Sequence, residues 1–79
     1  MTTKELDRLE EIRQEILANL RAKYGVDKVQ QVDNLGEVTT LKMLEGEQVL
    51  GVEQWMYDLV NDFQSMLLSH PDMIFPLLN

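Results

Sequence analysis

The chain has no cysteine, one histidine, two prolines and, from Met43 onward, neither lysine nor arginine. Without cysteine there is neither a disulfide framework nor a thiolate zinc site to staple a small domain. The absence is compatible with a reducing compartment. A lone histidine, His70, followed directly by Pro71, gives no triad with its neighbour Ser69, because adjacent residues rarely aim at one atom. The four glycines, Gly25, Gly36, Gly46 and Gly51, are dispersed and form no phosphate loop. No apolar run approaches the roughly 18 residues of a membrane span. The opening MTTKELDRLEE is charged from Lys4 and lacks the apolar stretch of a secretory signal. The expectation is a soluble, cytoplasmic chain with no membrane contact.

What is present is 79 residues with a net charge of −7. That length predicts a single domain spanning residues 1–79, which buries only about 60% of its unfolded surface. Self-association is the remaining general route to stability, so a homodimer is expected. The charge is uneven. Through Tyr24, Glu5, Asp7, Glu10, Glu11 and Glu15 balance Lys4, Arg8, Arg13, Arg21 and Lys23. Beyond it, nine acids face only Lys28 and Lys42. An acidic half repels phosphate backbones, which argues against direct nucleic-acid binding and in favour of a basic protein partner.

Two segments have helical periodicity. Leu6, Leu9, Ile12, Ile16, Leu17, Leu20 and Tyr24 fall on one stripe about 140° wide. Thr2-Thr3-Lys4-Glu5 matches a capping box, and Gly25 supplies a left-handed stop. Val52, Trp55, Met56, Leu59, Val60, Phe63, Met66 and Leu67 form a second stripe of about the same width. It begins near Gly51 or Val52 and stops at His70, since Pro71 disfavours helical geometry in the residue before it. Tyr57 and Leu68 lie off this stripe, roughly 60 to 100° beyond its edge.

Between Gly25 and Gly51 the apolar residues Val26, Val29, Val32, Leu35, Val38, Leu41 and Leu44 recur every three positions. That spacing fits neither the strand period nor a sustained helix. One reading has a helix from Asp27 to Leu35 closed by Gly36, followed by irregular chain. The other pairs strands Glu37 to Leu44 and Gln48 to Val52 around a Glu45-Gly46 turn, favoured by β-branched Val38-Thr39-Thr40. The hairpin is the expectation. After Pro71, Met73, Ile74, Phe75, Leu77 and Leu78 are too apolar to leave in water. This tail either closes the core or inserts into a groove on another chain.

The expected architecture is mainly α: two long antiparallel amphipathic helices, a short irregular or β-hairpin segment between them, and an apolar C-terminal tail. No catalytic or metal site and no cofactor is expected. Asp58 and Asp62 are one helical turn apart, but two carboxylates are not a site. All-helical nucleotide pyrophosphatases hold magnesium with paired acidic motifs on two helices, which Glu11, Glu15, Asp58 and Asp62 echo only thinly. The functional expectation is a non-enzymatic protein-interaction module, a small acidic adaptor or regulator. Its partner contacts would be Tyr57, Leu68, Met73, Ile74, Phe75, Leu77 and Leu78, beside an acidic surface of Glu53, Asp58 and Asp62. The alternative is an acidic inhibitor, of the size and charge of some virus-encoded antagonists, occupying the basic nucleic-acid groove of a target.

Overall fold

The computed structural model describes residues 3 to 70. Among them are four helices and no strand: α1 Thr3–Tyr24, α2 Val26–Asp33, α3 Glu37–Leu44 and α4 Gln54–Ser69. The mainly helical expectation holds. The expected apolar tail, Met73 to Leu78, and the Thr2 end of the capping box lie outside the described residues.

Helix α1 ends where the sequence places a stop. The Gly25 amide donates to the Arg21 carbonyl at 2.9 Å, the closing bond of a helix end that turns through a positive-φ residue. Gly25 also caps the start of α2, with φ 103° and ψ 149°. A single residue thus joins the two helices.

The hairpin expected between Glu37 and Val52 is overturned: Glu37–Leu44 is helix α3 and the residues after it make an irregular connection. The physical reasons are local. The Thr40 hydroxyl donates to the Gly36 carbonyl at 2.8 Å, a bond to the preceding turn that accommodates threonine in a helix. Thr39, Thr40, Met43 and Leu44 share the inward face, with Met43 buried and the others half-buried, while Val38 and Leu41 point outward. Glu45-Gly46 is the helix end. The Glu47 amide reaches the Lys42 carbonyl at 3.0 Å and the Gly46 amide reaches Met43 at 3.1 Å, the paired bonds of a Schellman motif. A glycine with positive φ serves a hairpin and a helix terminus equally well, so that dipeptide did not discriminate between them.

The core is Ile12, Ile16 and Leu20 from α1, Val29 and Val32 from α2, Met43 from α3, and Met56, Leu59 and Val60 from α4. Helix α1 packs against α2 and α4, α2 also against α4, and α3 mainly against α4. Two polar contacts fix how α1 lies along α4. Lys23 meets Asp62 at 2.8 Å, and Glu15 meets His70 at 3.3 Å. Moving from Lys23 back to Glu15 along α1 is therefore moving forward from Asp62 to His70 along α4. On α2, Asp33 lies 3.7 Å from Arg13 of α1.

Candidate functional site

Three polar clusters organise the helices and the chain between α3 and α4, and two of the three carboxylates expected to form an acidic surface, Glu53 and Asp62, each belong to one. At the end of α1, the Lys23 ammonium donates to Asp62 Oδ2 at 2.8 Å, and the half-buried Tyr24 hydroxyl donates to that same oxygen. Lys23 Nζ also stands 5.4 Å from the centre of the Tyr24 ring, within cation–π range. The hydrogen bonds from Lys23 and then Tyr24 hold the Asp62 carboxyl below its ordinary range. The same bond to Asp62, with the attraction of its charge, raises Lys23. Tyr24 is raised by its bond to Asp62 and then by burial. Each group is held in the state that keeps the cluster intact.

The second cluster surrounds Trp55. Glu53 precedes α4 with extended geometry, and its carboxylate makes no side-chain cap. It accepts instead from the Trp55 indole N–H at 2.9 Å. Lys28 of α2 stands 5.2 Å from the indole centre, so Trp55 is held by a cation on its face and a carboxylate at its edge.

The third cluster governs Tyr57. The Val49 amide donates to the Tyr57 hydroxyl oxygen at 2.8 Å, which anchors the chain between α3 and α4. Tyr57 and Leu68 share a face of α4, but the connection folds over Tyr57 alone. Tyr57 is half-buried, and Leu68 is 60% exposed. Beneath the connection an open groove is bordered by Leu44, Val49, Leu50, Val52 and Tyr57, with Gln54 and Asn61 at its polar edge.

Of the acidic residues, Asp58 is exposed and accepts from Gln54 at 3.1 Å within α4. Asp58 and Asp62 lie one turn apart as expected, and Glu53 is engaged separately at the helix start. Among the described residues no three histidine or acidic side chains form a group able to hold a metal ion. Met73, Ile74, Phe75, Leu77 and Leu78 lie outside the described residues. No helix among those residues is long and apolar enough to cross a membrane.

Three further exposed apolar residues come from the connecting segment that the sequence reading gave to strands. Val38 and Leu41 are 70% and 57% exposed on the outer face of α3, and Leu50 is fully exposed. The signal that separates them from core was the grouping of Thr39, Thr40, Met43 and Leu44 at helical spacing, which leaves Val38 and Leu41 on the opposite side. Comparison with known proteins returned no matching family model, no curated relative and no matching solved structure.

Proposed function

We propose that this chain is a non-enzymatic protein-interaction module, an acidic adaptor or regulator whose first partner is a second copy of itself. The observation that carries this reading is the outer face of α3. Val38 and Leu41 are one turn apart and largely exposed on a helix packed mainly from one side. Lys42 and Glu45 flank them, so two copies related by a twofold axis would bring each lysine toward the partner's acidic side. A small chain without cysteine also gains stability from any contact that buries this surface. The residues with chemical potential are engaged elsewhere. Asp62 accepts from Lys23 and Tyr24, and His70 pairs with Glu15.

A basic protein partner remains favoured by the net charge of −7. The inhibitor reading has less support, because Glu53 and Asp62 already hold partners within the chain. Sedimentation equilibrium of the full chain, beside Val38→Asp with Leu41→Asp, tests the proposal. The expected result is a concentration-dependent dimer that the double variant abolishes while keeping its helical circular dichroism. A strict monomer at high micromolar concentration would overturn self-association. A dimer indifferent to the double variant would remove α3 from the interface.

A further inference from the structure

The groove beneath the connection combines an apolar lining with acidic surroundings. Leu44, Val49, Val52 and Tyr57 border it, and fully exposed Leu50 stands at its lip. Glu47 belongs to the lining itself. From Met43 to Asn61, the stretch that builds the whole groove, Glu45, Glu47, Glu53 and Asp58 face no lysine or arginine. Glu45, Glu47 and Asp58 are exposed. The cations of the neighbouring helices are Lys42 on α3 and Lys28 on α2, and Lys28 stands over Trp55.

Two polar groups of the lining have capacity left for a guest. The Tyr57 hydroxyl accepts the Val49 amide, and its own proton has no acceptor among the described residues. The Gln54 amide nitrogen donates to Asp58, which leaves the Gln54 carbonyl oxygen as an acceptor at the groove edge. A donor and an acceptor are what the carbonyl and amide of a peptide backbone require. Charge then selects the source of that peptide. A second copy offering the same face would bring its own Glu45, Glu47 and Asp58 toward these acids, and like charges oppose such docking. A basic segment is attracted by them, and an apolar side chain within it displaces water from the lining.

We propose that this groove docks a short extended segment of a second protein, in which lysine or arginine flanks a bulky aliphatic side chain. The aliphatic side chain enters between Val49, Val52 and Tyr57, and the flanking cations lie against Glu47 and Asp58. This docking rests on the chain's being an interaction module, and it gives the basic partner a place apart from the outer face of α3. The probe is the end-blocked peptide Lys-Lys-Leu-Leu-Lys-Lys, titrated into the isotopically labelled full-length chain and followed by amide chemical shifts. Saturable shifts at Val49, Leu50, Tyr57 and Asn61 are expected, with Leu6 and Leu9 of α1 unmoved. Asp7 lies about two turns beyond Glu15, at the end of α1 that meets the close of α4, and is remote from the groove at the start of α4. Glu47→Lys should therefore weaken binding about tenfold, whereas Asp7→Lys, the same change in net charge, should alter it less than about twofold. Replacing both leucines of the peptide by serine should abolish the saturable shifts. Absence of saturable binding, shifts centred on Val38 and Leu41, equal losses from the two charge variants, or equal binding of the serine peptide would each overturn the proposal. Sedimentation of the parent without peptide reads the α3 dimer separately. A dimer without peptide binding removes the groove alone, and absence of both removes the interaction-module reading with it.

Discussion

The hydroxyl of Tyr57 accepts the Val49 amide across 2.8 Å, so a side chain on α4 holds the backbone of the segment that precedes it. Sequence separation between the two is small, but the bond pins the middle of the longest connection among the four helices to α4. Tyr57→Phe keeps the ring and removes the acceptor. The expected cost is about 1 kcal/mol, typical of one hydrogen bond at a partly buried site. Urea unfolding followed by Trp55 fluorescence measures it, and amide exchange at Val49 should accelerate selectively. An unchanged Val49 exchange rate would show that the bond is not what orders the connection.

Gly36 begins α3 with φ 86° and ψ 166°, a conformation essentially confined to glycine. A Cβ at this position would meet nothing within 4 Å, so Gly36→Ala isolates backbone strain from steric clash. A loss of about 1 to 3 kcal/mol is expected. For a domain of this size each kcal/mol lowers Tm by about 4 to 8 °C. Thermal unfolding checks it. A Tm equal to the parent's would mean that α3 can begin with different geometry.

The Lys23, Tyr24 and Asp62 cluster ties stability to pH at both ends of the scale. Asp62 is held below its ordinary value by donation from Lys23 and then Tyr24. Its contribution is present above the unfolded carboxyl range of about 4 and is lost as pH falls through the lower folded value. Lys23 and Tyr24 are both raised through Asp62. Their contributions are complete below the unfolded range of about 10 and are lost as pH rises through the folded values. Asp62→Asn should weaken the fold between about pH 5 and 9 and flatten this part of both limbs. Denaturation midpoints across pH for parent and variant provide the measurement. Parallel curves would show that the cluster does not couple folding to ionisation.

The outer helices were legible because several local signals agreed. The Leu6 to Tyr24 stripe and Gly25 marked α1, and the Val52 to Leu67 stripe with Pro71 marked α4. Its start moved to Gln54 because Val52 and Glu53 complete the incoming connection. Agreement failed between Gly36 and Gly51. Threonine favours strands in isolation, but Thr40 bonds to the carbonyl one turn back, and Met43 packs on a core supplied by the other helices. Such tertiary packing overrides propensity. Leu68 was legible as an off-stripe residue from the helix period alone. Tyr57 obeyed the same geometry, but its surroundings depend on how the irregular connection just before α4 folds back over it. No local pattern encodes that path. The pairing of Lys28 with Trp55 was likewise invisible, since it arises from how α2 settles against α4.

The single residue between α1 and α2 has a bearing on how the protein tolerates change in length. Gly25 closes one helix and opens the next, leaving no slack with which to absorb an insertion. An extra residue inside α2 ahead of Val29 would turn the rest of that helix by about 100° and carry Val29 and Val32 out of the core. The connection around fully exposed Leu50 has room to lengthen. Fusions, epitope tags or new termini therefore belong at Leu50, while the Gly25 junction is a fixed-length joint.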